Sequence, residues 1–267
     1  MKNFYAIKKL KKDAFTLAEV LVTLGIIGVV AALTMPTLVS NHKKAVLKSQ
    51  FKKTYSTISQ AYDAAAVSLG YFPQCYYWEQ GSEPHHCLEY DAQGECTKYV
   101  LNSTGEEIYD GINGPRSRCK PLFDAMVNNL KVVKRCNGNA FADGCIPDYK
   151  GIDTMHKANN EGVSDIDTNK ATTGCLGYRE NNIKTKSTAL VLADGSIYIT
   201  YGVDDWYKFP LFLIDVNGKK GPNKWGHDLF SLELSGNADK EFYVNPTGNC
   251  MPYWEEGGVH PKQMLVD

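Results

Sequence analysis

Residues 13–39 read DAFTLAEVLVTLGIIGVVAALTMPTLV, and this stretch decides the fold. Residues 15–39 form an apolar run of about 25 residues, the length of a true membrane span. Two residues interrupt it: Glu19 near its start and Pro36 near its end. A carboxylate in hydrocarbon costs roughly 2.5–3.5 kcal/mol on insertion scales, so Glu19 is a functional candidate by default. Pro36 lacks an N–H and crowds the carbonyl of Ala32, so a kink or loosened turn is expected there. Gly25, Gly28, Ala31 and Ala32 give the run a small-residue side that suits close approach of another helix, although small residues are common in membrane helices generally.

On the N-terminal side lies a basic leader. Residues 1–14, MKNFYAIKKLKKDA, carry +4 in a chain whose net charge is -1, which leaves -5 on the rest. A positive leader before an apolar run marks an exported protein, and the run is too long for an ordinary secretory signal. Lysines on that side alone predict a cytoplasmic N-terminus and an exported remainder. The eight cysteines, Cys75, Cys87, Cys96, Cys119, Cys136, Cys145, Cys175 and Cys250, all lie on the exported side. There an even count reads as disulfides, with 105 possible pairings. The short separation of Cys136 and Cys145 suggests one of them. The near-neutral net charge gives no sign of nucleic acid as a partner.

On the C-terminal side the hydrophobic period changes. Leu47, Phe51, Tyr55, Ile58, Tyr62, Ala65 and Leu69 follow one another at steps of four and three, with Lys48, Lys52, Lys53, Ser56, Ser59 and Asp63 between them. That is one apolar stripe on an otherwise wet helix. Gly70 and Pro73 are its stop signals. A helix over residues 16–69 would measure roughly 80 Å. Its first half is apolar all round, and its second half can bury one face only.

Residues 71–180 are rich in Cys, Gly, Asn and Tyr, with a helix expected over residues 121–133, PLFDAMVNNLKVV. Residues 150–187 are polar and turn-rich and read as a loop. In TALVLADGSIYITYG, residues 188–202, two β-rich runs flank Asp194-Gly195, a strong hairpin signal. PLFLIDV at 210–216 and DLFSLEL at 228–234 add two strands. The expected fold is α+β. A long N-terminal helix packs its second half on a mostly antiparallel sheet of four short strands, with a disulfide-rich insertion between them.

The segment KKDAFTLAEVLVTLGIIGVVAALTMPTL closely resembles the N-terminus of type IV pilins and of type II secretion pseudopilins. The resemblance implies cleavage by prepilin peptidase between Ala14 and Phe15, followed by N-methylation of Phe15. It places Glu19 on the family's glutamate and Pro36 where many pilins have a helix-breaking proline. One residue departs from the pattern: Ala14 stands where the family most often has glycine. The implied organisation is a cleaved leader at 1–14, a transmembrane and polymerisation helix at 15–39, its amphipathic continuation at 40–70, and a pilin-like head at 71–267.

For Glu19 two readings stand. In a filament the new ammonium of a neighbour's Phe15 can neutralise it and reward one axial register. Alternatively, it lies near the cytoplasmic surface and snorkels to water. The loop between the last two strands gathers Asp215, Asn217, Asn223 and Asp228, hard oxygen donors suited to calcium. Some pseudopilins carry calcium in a loop near the C-terminus, which supports that reading. Asx and glycine turns would explain the same residues without a metal. Cys75, His85, His86, Cys87 and Cys96 lack a C-x2-C pair, so disulfides are preferred there over zinc.

No G-x-S-x-G, H-E-x-x-H or phosphate-binding glycine loop is present. His42, His156, His227 and His260 are isolated and read as surface residues. Lys43, Lys44, Lys48, Lys52 and Lys53 read as a solvated basic face. The aromatics Tyr76, Tyr77, Trp78, Trp206, Tyr207, Tyr253 and Trp254 read as packing residues.

The expected function is therefore structural and not enzymatic. The chain reads as a subunit of a type IV pilus-like or pseudopilus filament, anchored once in the cytoplasmic membrane. Its partners would be prepilin peptidase/N-methyltransferase, other pilin subunits and the membrane, with nucleic acid entering only for a DNA-uptake pilus. No cofactor is required, and calcium is the candidate ion. The alternative is a membrane-anchored or filament-borne adhesin that binds through its disulfide-rich head.

Overall fold

A computed structural model of the 267-residue chain describes residues 16–71, 73, 75, 77–78, 85–90, 96–101, 104–105, 107–108, 119–159, 175–200, 210–237, 240–248, 250–251 and 255–266. In chain order the elements are α1 (Leu17–Leu69), β1 (Tyr77–Trp78), β2 (His85–Tyr90), β3 (Cys96–Leu101), β4 (Glu107–Ile108), α2 (Cys119–Asn128), β5 (Val132–Asn137) and α3 (Ile152–Asn159). The second half of the chain adds α4 (Glu180–Lys186), β6 (Thr188–Leu192), β7 (Ile197–Thr200), β8 (Leu211–Asp215), β9 (Leu229–Asn237), β10 (Lys240–Asn245) and α5 (Pro261–Leu265), with single 3-10 turns at Leu176–Tyr178 and Gly218–Lys220. The chain divides into two compact units, residues 1–45 and 46–267.

In the first unit α1 is the one candidate membrane span among the described residues, with a mean hydropathy of 2.3 and none of that window buried. Thirteen large apolar side chains between Leu17 and Val39 stand exposed. At about 1.5–3 kcal/mol each, covering them is worth on the order of 20–40 kcal/mol, a strong drive toward lipid or other apolar surfaces. The helix assignment continues through Pro36. Thr23 donates its hydroxyl to the Glu19 and Val20 carbonyls and Thr34 to that of Val30, so these hydroxyls are satisfied inside the helix.

In the second unit the expected stripe is buried through Phe51, Ile58, Tyr62 and Ala65, and Thr54 and Ala61 join it. β5 to β9 form one antiparallel sheet in the order β9-β8-β7-β6-β5, and β10 pairs antiparallel with β9. The short β1 pairs parallel with β9, the exception in an otherwise antiparallel sheet. β2, β3 and β4 form a separate three-stranded antiparallel sheet, which no pattern in the sequence led us to expect.

The register sorts the main sheet into two faces. Leu190, Tyr198, Ile214 and Phe230 lie in line across β6 to β9, with Phe212 and Leu232 beside them. α1 covers this face: the Phe51 and Phe230 rings meet edge to face at 4.7 Å, and the Tyr62 and Tyr198 hydroxyls share a buried hydrogen bond of 2.7 Å. α2 shares the face through Phe123, whose ring lies 6.4 Å from that of Tyr198. The Cys75–Cys119 disulfide ties the segment after α1 to the start of α2.

The opposite face carries Leu213, Asp215, Leu229 and Ser231, and it too is buried. Its cover comes from the segment expected to be a loop. Ser231 donates to the Tyr178 hydroxyl, and the Tyr178 ring leans on Trp225. A sheet buried on both faces explains why β7 and β8 hide every side chain.

Two expectations are corrected. The helix expected over 121–133 begins at Cys119 and ends at Asn128. Asn129 caps it by donating to the Ala125 carbonyl, and the β-branched Val132 and Val133 enter β5 beside β6. The segment 150–187 contains α3, a 3-10 turn and α4. Their stability is tertiary: Asp153 accepts the Glu180 N–H at the start of α4, and Glu180 accepts from Gly151 N–H and the Thr154 hydroxyl. Such short helices have too little propensity to be read from local sequence.

Two further disulfides join Cys136 to Cys145 and Cys175 to Cys250. The side chains of Cys87 and Cys96 lie outside the described residues.

Because Phe51 is completely buried and Val67 is 82% exposed on the same helix, their truncations should diverge. Phe51→Ala is expected to cost about 3–5 kcal/mol, and Val67→Ala less than about 0.5. Denaturant titration of the detergent-solubilised chain, followed by tryptophan fluorescence, measures both.

Candidate functional site

Two places concentrate the chemistry. The first is the start of α1. Glu19 Oε2 accepts from the Thr16 N–H at 2.8 Å and from the Thr16 hydroxyl at 2.9 Å, while Thr16 Oγ1 accepts the Glu19 N–H at 3.3 Å. This is a reciprocal capping box, T-x-x-E, and it satisfies backbone donors that a helix start leaves open. Reading Glu19 as a lone intramembrane acid overlooks Thr16, although the spacing is visible in the sequence. Ala14 and Phe15 lie outside the described residues. Pro36 lies inside α1 with none of its surroundings buried.

The second place is the loop from β8 to β9, where all four expected oxygen donors come together. Asp215 ends β8 and Asp228 immediately precedes β9, and both are wholly buried. Asp215 Oδ1 accepts the Asn217 and Gly218 N–H groups at 3.1 and 2.6 Å. Its Oδ2 accepts the Tyr149 hydroxyl at 2.5 Å. Asp228 accepts the Asn223 N–H on Oδ2 and the Lys224 N–H on Oδ1, both at 2.7 Å. Each carboxylate therefore folds its own end of the loop around itself.

The amides are the telling part. Asn217 donates its Nδ2 to the Gly221 carbonyl at 2.7 Å, which fixes which way its amide faces. Its Oδ1, and that of Asn223, are buried with no hydrogen-bond partner. An unpaired buried acceptor costs about 1–3 kcal/mol, so two in one loop need an explanation.

Electrostatics point the same way. Burial first, and the Asp228 charge second, push Asp215 up to about 8. Burial also raises Asp228, against the pull of its backbone donors. Tyr149 is raised by burial and by the neighbouring Asp215. Two buried acids in one loop stay ionised only where something positive compensates them; otherwise burial favours their protonated forms.

The residues thus fit a hard cation. Every donor is oxygen, two are carboxyl groups that a bound cation would hold ionised, and two are otherwise orphaned. Among the described residues no group of three or more His, Cys, Asp or Glu side chains is placed to hold a metal. Cys75, one member of the zinc alternative, is joined to Cys119.

Neighbouring segments hold the loop in place. Gly218 has φ +60°, and a Cβ there would stand 2.2 Å from the Gly195 carbonyl oxygen in the β6–β7 turn. Lys53 of α1 pairs with Asp194 of the same turn at 3.0 Å. Tyr149 is set by residues beside it: Lys184 bridges Asp148 and Glu180 at 2.5 and 2.7 Å, and the Lys150 carbonyl accepts the Trp225 indole N–H at 2.7 Å. Nothing in the sequence signals Tyr149, which lies 66 residues from Asp215.

Of the isolated histidines, His42 is exposed, and His156 and His227 are half-buried. The surface expectation does not describe His260: it caps α5, accepting the Lys262 N–H on Nδ1 and meeting the Thr247 carbonyl through Nε2. The side chains of Tyr76, Tyr77, Trp78, His85, His86, Trp206, Tyr207, Tyr253 and Trp254 lie outside the described residues.

Residues 9–35 match the model of the prokaryotic N-terminal methylation motif. That motif is the prepilin-type signal of type IV pilins and pseudopilins. No curated protein and no solved structure matches the chain. The chain thus carries a prepilin-type segment at the start of an apolar helix long enough to span a membrane, followed by a disulfide-braced α+β unit.

Gly218→Ala is expected to destabilise the 46–267 unit by about 2 kcal/mol or more, since it meets both the left-handed backbone and the Gly195 carbonyl. Gly105→Ala, with nothing within 4 Å, carries the backbone strain alone and is expected to cost less. Thermal unfolding of the two variants makes the comparison.

Proposed function

We propose that the chain is a structural subunit of a type IV pilus-like or type II secretion pseudopilus filament. The observation that carries this reading is a prepilin-type motif at residues 9–35 on a helix whose apolar window, among the described residues, has none of its surface buried. Prepilin peptidase would cut between Ala14 and Phe15 and methylate the new amine. The leader's lysines keep the N-terminus cytoplasmic, so residues 40–267 are exported. Other pilin subunits then replace lipid around residues 15–39.

Glu19 supplies register. In a lone subunit its carboxylate is held by Thr16, a neutral partner. The ammonium of a neighbour's processed Phe15 is a stronger one, because a charge-assisted bond is worth about twice a neutral one. Exchange of Thr16 for that ammonium favours the one axial position where the two charges meet.

We propose further that Asp215, Asn217, Asn223 and Asp228 hold calcium. The ion would supply the positive charge that two buried carboxylates require and would occupy the two orphaned amide oxygens. Its role is structural, fixing the β8–β9 loop.

Two measurements test these readings. Glu19→Ala should insert and lose its leader normally, while its recovery in sheared filaments or in partner pull-downs falls about tenfold or more, the equivalent of one charge-assisted bond. Wild-type recovery would refute the register role. For the ion, calorimetry of the chelator-stripped full chain in detergent should show binding heat with calcium, weakened at least about tenfold in Asp228→Asn. A flat calcium titration ends the second reading.

A further inference from the structure

We infer that the β8–β9 loop is a calcium-set clasp on the C-terminal segment, residues 255–266. This rests on the calcium reading above and adds a consequence to it. The three residues after the Asp228-bound amides turn from the proposed site to the end of the chain. Asp228 accepts the N–H groups of Asn223 and Lys224, and the next N–H, that of Trp225, donates to Glu255 Oε2 at 2.7 Å. The Gly226 carbonyl then accepts the Val259 N–H at 3.0 Å, and the His227 ring bonds the Glu256 carbonyl at 2.9 Å. One short loop therefore faces its carboxylate on one side and holds the chain end on the other.

The fit is backbone against backbone. A Cβ on Gly226 would stand 2.7 Å from the Val259 nitrogen and 2.8 Å from the Gly258 Cα, so the two segments pass with no room for a side chain. Glu255 is buried, and its Oε2 serves an N–H inside the loop. The chain end beyond Val259 has little stability of its own. α5 is five residues long, below the length at which an isolated helix persists in water. It depends on its His260 cap and on burial of Pro261 and Met264. The nearest covalent tether is the disulfide at Cys250, ahead of the segment.

Rigidity passes along this path. An ion at Asp215, Asn217, Asn223 and Asp228 fixes Asn223 and Lys224, and Trp225 and Gly226 continue the same backbone. With the ion bound, the hooks for Glu255 and Val259 stay in place. With the ion removed, the loop opens and the end of the chain is released. The calcium-loaded subunit thereby presents residues 255–266 closed against the loop on the exported side.

Hydrogen–deuterium exchange on the full chain in detergent, with calcium or with a chelator, tests this alongside calorimetry on the same sample. Calcium is expected to slow exchange across 255–266 about tenfold or more, with little change in the β6–β7 hairpin. Glu255→Ala is expected to bind calcium within about threefold of wild type and to lose the added protection of 255–266. Calcium binding with unchanged exchange at 255–266 would overturn the clasp and leave the calcium reading standing, as would protection spread evenly over the whole 46–267 unit. Absence of calcium binding overturns both. Gly226→Ala provides a second check: protection equal to wild type in that variant also overturns the clasp.

Discussion

α1 is one helix with two surfaces, and most of the structure depends on the change between them. Through residues 17–39 its apolar residues face every direction, so no single protein surface can cover them. From Phe51 to Ala65 they narrow to one stripe, which a sheet face can cover. The stripe determines what the rest of the second unit must supply. Phe212, Phe230 and Tyr198 present aromatic rings at the points where Phe51 and Tyr62 arrive, and the two tyrosine hydroxyls satisfy each other. Burial of a tyrosine pair of this kind costs little only because neither hydroxyl is left alone. The strands are ordered so that these rings line up in one layer.

How much of this is readable in the sequence depends on the range of the forces involved. The stripe, the Asp194-Gly195 hairpin and the strands at Leu211–Asp215 and Leu229–Asn237 are local patterns of period 3.6 or 2, and they are found where the patterns lie. The second face of the sheet is not readable. Its cover is α3, α4 and the Leu176–Tyr178 turn, short elements whose helical state depends on Asp153, Glu180 and Lys184 reaching one another over some thirty residues. Local propensity carries no trace of such contacts. The same limit explains the early end of α2. Val132 and Val133 continue an apolar helical spacing, yet pairing with β6 is a better use for β-branched residues.

The candidate ion site divides along the same line. Its four oxygen-bearing side chains lie within fourteen residues of one another and are visible as a cluster. What makes the cluster informative is the state of each oxygen. Asp215 and Asp228 are heavily bonded by backbone N–H groups, as in many Asx turns that hold no metal. Asn217 and Asn223 are not, and a turn built only for its own geometry would not bury two amide oxygens without partners. Tyr149 adds a constraint from outside the loop, and with it the candidate ion site becomes part of the packing of the sheet's second face.

These features also account for where the chain's resemblance is concentrated. On the reading proposed above, the matched residues 9–35 would answer to several demands at once: a peptidase that reads the leader, lipid that accepts the helix, and a neighbouring subunit that meets Glu19 at one height. Each of these demands would restrict the same few positions, which fits a match confined to residues 9–35. The second unit faces a looser demand, which is to cover one helical stripe with a sheet and close the other face of that sheet. Many sequences satisfy it, and this one does so with disulfides, short tertiary-stabilised helices and a carboxylate-rich loop. Glu19 and the Asp215–Asp228 pair share a physical logic across that divide. In each place a carboxylate sits where its charge is costly unless compensated, and under the proposals above the compensating partner would fix a geometry: axial register in one case, the closure of a loop in the other.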